Sequence, residues 1–309
     1  MSLRKFCFAS PPKGRIFIAA LVSTLYGINA YARPDMRPLG PNIADRGSAY
    51  YHFNVAYFDS LDGERHYKVW TAIPNAAPPA QGYPILYALD GNAVMDRLSD
   101  SLLETFTQKT PPVIVAIGYQ TNLPFEQPAR AYDYRPKVEE NPADAGWDRR
   151  KSGGSEAFRR LLENTIVEKV ERGIAINPQQ RAIWGHSYGG LFIIDAWLAS
   201  SRFQIYFSAS PSLGRGNASL LAKMAAAKAD AFNRKSLYLM EGAVATQRAS
   251  SAGAEEIRGS VLQTVSLLKK NGVAVNWWPY PGLSHGEMFS ASLQSALLAM
   301  SGFPRGSGN

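Results

Sequence analysis

Hydrophobic and polar positions divide the chain into short strands and longer helical stretches. They alternate over residues 50–58 and again over 65–73, on either side of a turn marked by Gly63, and this predicts a leading antiparallel hairpin. Residues 83–89 and 112–117 are continuous apolar runs, the pattern of strands covered on both faces. Residues 156–171 carry Phe158, Leu161, Leu162, Ile166 and Val170 at helical spacing. Short apolar runs at 181–184, 204–209, 236–240 and 273–278 read as further strands. Helical stretches are expected from Asn92 to about Gln108, after Ser187, over 218–229 and 254–270, and finally to Met300. Strands alternating with helices predict a mostly parallel sheet with helices on both faces, in one domain over residues 33–309. Between them, residues 118–154 read as a long irregular loop rich in aromatic and basic side chains, and long loops inside compact domains are commonly functional.

One junction stands out. The run 181–184 ends in Gly185-His186-Ser187-Tyr188-Gly189, a G-x-S-x-G pattern with an apolar helical pattern after it. A serine projecting from a tight strand-to-helix turn needs small residues two before and two after it, so that strand and helix pass closely. Ser187 is the expected nucleophile; the plain alternative is a glycine-rich turn of structural use. With a leading hairpin, Ser187 after the fifth strand and His285 after the last, the order is that of the α/β-hydrolase fold.

A serine hydroxyl needs a base. Of the four histidines, His52 and His66 lie in the leading strands and His186 sits inside the turn with packing as its expected job, which leaves His285. The oxyanion hole is expected from the backbone amides of Tyr188 and of Asn92, with Gly91 next, although Asp90-Gly91-Asn92 also reads as a plain turn. Asp195, Asp230, Glu241, Glu255 and Glu256 are the acids between Ser187 and His285, and Glu241 alone ends a strand at a suitable place. A third catalytic acid is therefore not promised.

Composition changes this picture little. The 309 residues are 46% hydrophobic and 19% charged, enough for a large core, with a formal charge of +8. Arg4, Lys5, Lys13 and Arg15 supply half of that charge within residues 1–32, which hold no acid. The remaining mild basic bias gives no case for nucleic acid and suits an anionic small substrate. A basic start, an apolar run over 16–28 and Ala30-Tyr31-Ala32 read as a secretory signal cut after Ala32, with an uncleaved anchor as the minority reading. Cys7 is the single cysteine and lies in that leader, so the mature chain has no disulfide, cysteine nucleophile or cysteine-ligated metal, and no cofactor is expected.

Longer runs carry a closer resemblance. Leu89-Asp-Gly-Asn-Ala-Val-Met-Asp-Arg97, Gly118-Tyr-Gln-Thr-Asn-Leu-Pro-Phe125, Arg130-Ala-Tyr-Asp-Tyr134, Lys151-Ser-Gly-Gly154, Trp184-Gly-His-Ser-Tyr-Gly-Gly190 and Ser208-Ala-Ser-Pro-Ser-Leu-Gly-Arg-Gly216 resemble the periplasmic trilactone siderophore esterases that act on enterobactin and salmochelin. The resemblance spans about residues 60–300 and lapses near 241–258. It implies a periplasmic esterase that opens a serine trilactone to linear catecholate products, prefers the metal-free siderophore, and works with a Ser187–His285 dyad. Planar, acidic catecholamide arms suit Arg130, Tyr132, Lys151, Trp184 and Arg215 as binding residues, with surface charge or core packing as the bland alternatives. A monomer is expected, touching a membrane only through a retained leader. Two other readings stay open: a broader secreted carboxylesterase or acyltransferase, and a ligand-binding module on a hydrolase fold.

Overall fold

The computed structural model describes residues 35–137, 151–213, 218–242 and 252–304. The expected leader and Arg215 lie outside the described residues. The described elements belong to one compact unit, Arg33–Asn309, built on an eight-stranded sheet in the order β1-β2-β4-β3-β5-β6-β7-β8.

The hairpin forms as its alternation predicts: β1 (Tyr51–Asp59) pairs antiparallel with β2 (His66–Pro74), and β2 antiparallel with β4 (Val113–Tyr119). Every later pairing is parallel, joining β4 to β3 (Tyr83–Leu89) and then β5 (Ile176–His186), β6 (Ile205–Ala209), β7 (Ser236–Gly242) and β8 (Val275–Tyr280). The continuous apolar runs are explained by cores on both faces. Along β3, Ile85, Tyr87 and Leu89 enter one core while Leu86 and Ala88 enter the other. The first face is covered by α5 (Ser155–Leu161), α6 (Val167–Glu171), α7 (Tyr188–Ala199), α8 (Ala218–Ala225) and α10 (Ala252–Lys270). The second is covered by α1 (Ile43–Arg46), α2 (Gly91–Arg97), α3 (Asp100–Thr107) and α11 (Glu287–Met300).

Three expectations need correcting. The single helix after Asn92 is two, because Leu98 is extended and the Ser99 hydroxyl accepts from Leu102 N–H to start α3 afresh. The stretch before α5 is not wholly irregular: α4 (Gln127–Asp133) forms within it, with a proline in its first turn. The helix over 218–229 ends at Ala225, and a short α9 (Ala229–Phe232) follows. The 156–171 helix is present but carries a π-helical turn, Leu162–Ile166, between α5 and α6.

Candidate active site

The parallel strands β3, β5, β6, β7 and β8 all point their carboxyl ends to one edge of the sheet, and the candidate residues collect there. Ser187 joins β5 to α7 at φ 60° and ψ −114°, outside the basins of ordinary residues. The glycines around it are required by contact. A Cβ on Gly185 would lie 2.6 Å from the Gly189 carbonyl, and one on Gly190 would lie 2.7 Å from the Ala209 carbonyl oxygen. Ser187 N–H donates to that same Ala209 oxygen at 3.0 Å, so β6 braces the turn. The Ser187 and Ser212 hydroxyl oxygens are 3.0 Å apart.

His285 sits in the loop between β8 and α11. Its ring centroid lies 4.7 Å from that of His186, and its backbone carbonyl accepts from His186 Nε2 at 2.8 Å. His186 is thus more than packing: it is a buried strut that ties the Ser187 turn to the loop bearing His285. Burial, and then the charge of His285, hold its pKa well below that of a free imidazole. His285 is exposed at its surface, yet the protein around its ring desolvates it enough to lower its pKa, and the Arg130 charge lowers it further. Among the described residues no carboxylate hydrogen-bonds the His285 ring. Glu241 is half-buried near the end of β7, and the following Gly242 abuts the same loop, where a Cβ would come 2.5 Å from the Leu283 carbonyl oxygen.

The Asp90-Gly91-Asn92 turn is a built feature, not a plain turn. Asp90 adopts the left-handed conformation at φ 57° and Gly91 opens α2. Gly91 presses on β4 so closely that a Cβ would lie 2.5 Å from Gly118 N. The Asn92 side chain accepts from Tyr119 N–H at 2.8 Å and donates to the carbonyls of Tyr119 and Thr121. Gly91 and Asn92 open α2 as Tyr188 opens α7, and a helix's first amides have no acceptor within it.

Two expected binding residues stand elsewhere than supposed. Arg130 is not in a loop: it is a buried residue of α4, paired with both oxygens of Asp90 at 2.7 and 2.8 Å. Its guanidinium also lies 5.3 Å from the centre of the Tyr188 ring, which places a fixed positive charge beside the Ser187 turn. Trp184 is core: it is fully buried, donates from its indole N–H to Ser292 Oγ at 3.2 Å, and packs edge-on to Phe289. Tyr132 is half-buried, with the Arg65 guanidinium 4.6 Å over its ring and Gly154 against it. Lys151 is exposed at the start of the segment leading to α5. A residue not singled out, Arg135, lies 5.3 Å from the Tyr188 ring. The Asp90–Arg130 pair was not read from sequence, because its partners are 40 positions apart and ion pairs leave no periodic signal; the one hint was the Asp-Gly turn itself.

Comparison with known proteins identifies the family. Residues 60–300 match the family described as putative esterase. The apo-salmochelin esterase of Escherichia coli O6:H1 is 52% identical over 304 residues, 98% of this chain and 96% of that protein. The solved structure of the enterobactin hydrolase IroE in complex with DFP is 53% identical, with a TM-score of 0.76 over 85% of this chain and 100% of that one. The ferri-bacillibactin esterase BesA of Bacillus subtilis is 34% identical over 170 residues, covering 52% of this chain and 58% of that protein. The α/β-hydrolase sheet, the serine turn at its active edge and a family match across most of the chain lead to one conclusion: the chain belongs to the putative esterase family and hydrolyses carboxylic esters.

Proposed function

We propose that this esterase opens the serine trilactone of catecholate siderophores of the enterobactin and salmochelin type, preferring the iron-free form and releasing linear products. The observation that carries the reading is the 52% identity, over 98% of the chain, to a protein named apo-salmochelin esterase. The chemistry of the site supports it. Ser187 is the nucleophile and His285 the base; a lowered pKa keeps His285 neutral, and so able to take a proton, at pH values where a free histidine is half protonated. Ser187 Oγ gives its proton to His285 and bonds to the lactone carbonyl carbon. The carbonyl oxygen becomes an oxyanion beside the amides of Tyr188 and Asn92, with Gly91 next to them, and the buried Arg130 charge favours it further. Collapse breaks the lactone C–O bond, and His285 returns the proton to the leaving serine hydroxyl. Water then hydrolyses the acyl-enzyme by the same steps. The proton transfers are written on Ser187 and His285 alone, and Glu241, half-buried near the end of β7, is given no step in them.

Arg135, Tyr132 and Lys151 supply the basic and aromatic rim for acidic catechol rings, and Arg215, outside the described residues, is expected from sequence to bind them too. Removal of the leader after Ala32 places the enzyme in the periplasm. The test is product analysis of residues 33–309 with apo and ferric enterobactin and salmochelin, beside Ser187→Ala. Linear trimer, dimer and monomer should appear with wild type alone, faster from the apo forms. Cleavage of simple aryl esters with both lactones left intact would overturn the substrate.

A further inference from the structure

The Ser208–Leu213 stretch, singled out by sequence, has no part in the dyad, yet it grips the nucleophile turn at several points. Ser208 Oγ donates to the Gly190 carbonyl at 2.8 Å. The Ala209 carbonyl accepts from Ser187 N–H at 3.0 Å, and Ser212 N–H donates to the Ser187 carbonyl at 3.2 Å. Ser210 takes a positive φ of 39° to turn the chain back, with its N–H on the Met240 carbonyl at 2.8 Å. A left-handed residue that is not glycine persists only where its surroundings fix it, and such residues gather at functional sites. The outcome is that a second hydroxyl, Ser212 Oγ, lies 3.0 Å from Ser187 Oγ. Two hydroxyls in contact share one hydrogen along their line, and in the resting enzyme either can donate. Once the Ser187 proton is committed to His285, the remaining hydrogen on that line belongs to Ser212.

We propose that Ser212 is a third catalytic residue, resting on Ser187 being the nucleophile: its hydroxyl donates a hydrogen bond to Ser187 Oγ as negative charge builds there. The Ser212 proton stays on Ser212 throughout. In acylation the Ser187 proton passes to His285, the Oγ–carbonyl bond forms, and the Ser212 hydrogen bond lowers the cost of the alkoxide-like oxygen. In deacylation the same oxygen is the leaving group, His285 returns its proton, and the same hydrogen bond eases departure. The assignment supplies part of what a carboxylate supplies elsewhere. A triad acid stabilises the base after it takes the proton; Ser212 stabilises the nucleophile after it loses one. Its backbone anchor on the Ser187 carbonyl fixes the geometry without any substrate bound.

The test is the rate of covalent labelling by a fluorophosphonate, together with kcat and KM on an aryl ester, for the full chain as wild type, Ser212→Ala, Ser212→Thr and Ser187→Ala. Hydrogen bonds to charged groups predict that Ser212→Ala labels and turns over about 10- to 100-fold more slowly. KM and melting temperature should hold, and Ser212→Thr, which restores a hydroxyl, should recover most of the loss. Wild-type rates for Ser212→Ala, or equal losses in the alanine and threonine variants, would overturn the assignment. A wild type that does not label at all would instead overturn Ser187 as nucleophile, and the two failures are thereby told apart.

Discussion

At the scale of single residues, charge placement sets the working pH. In the proposed mechanism His285 must be neutral to accept the Ser187 proton, and desolvation and the Arg130 charge both lower its pKa. Activity should therefore rise with pH through a midpoint below that of an ordinary histidine, near 6.5. Removing the guanidinium makes protonation easier, so Arg130→Gln should move that midpoint upward while cutting kcat. A pH profile of kcat/KM for both proteins checks it, and an unmoved midpoint would mean that the Arg130 charge does not reach the base. Arg130 itself stays charged. Its pairing with Asp90, both side chains being buried, raises its pKa. Such a pair is costly to break from one side, because it leaves an uncompensated buried charge.

At the scale of elements, the site depends on how helices meet strand ends. Lys235 lies at the far end of α7 from the nucleophile, and its ammonium donates to the Trp197 and Ser200 carbonyls at 2.7 and 2.5 Å. It caps the carbonyls that α7 leaves without partners. Lys235→Met should lower stability by about 1–2 kcal/mol, the worth of such charged hydrogen bonds in partial burial. Its effect on kcat should be small, since the Ser187 end of α7, where the reaction is proposed, is held by β6; denaturant titration beside an aryl-ester assay measures both. The sheet, its hairpin and the places of Ser187 and His285 were legible because they rest on local periodicity and on small residues at fixed offsets. The residues of the site that come from elsewhere were less so. The ends of α4 carry only weak signals, and Arg130 was expected in a loop because its helix is short, only seven residues with a proline in the first turn. Near a strand end, Trp184 reads in sequence more readily as core than as a binding residue, without excluding the second. Only its position on β5, facing α11, decides for core.

At the scale of the whole molecule, buried titratable groups shape stability in opposite directions. His186 has a folded pKa far below its unfolded value, so the unfolded chain binds the proton more readily and stability is lost as pH falls below about 6.5. Asp133 behaves the other way. It accepts from the Tyr67 and Tyr119 hydroxyls at 2.8 and 3.0 Å and lies 2.8 Å from Arg65, yet burial outweighs these partners and lifts its pKa from 3.8 to about 6. Its contribution is greatest below pH 3.8 and declines as pH rises through about 6. The stability difference between wild type and Asp133→Asn should therefore shrink from pH 4 to 7, and that between wild type and His186→Gln should grow. Urea titrations across this range test both signs. Among the described residues the non-glycine positions of positive φ, Asp90, Ser187 and Ser210, follow the ends of β3, β5 and β6, three neighbouring strands, so the edge proposed to hold the site is also where the described backbone is least relaxed. Sparsely populated conformations cost about 1–3 kcal/mol each, and glycine would escape that cost at a turn. Ser187→Gly should melt about 2–4 °C above wild type while losing all activity, and calorimetry would show it. Selection for heat resistance alone would then favour inactive enzymes, and a screen for a hardier catalyst has to score turnover in the same round.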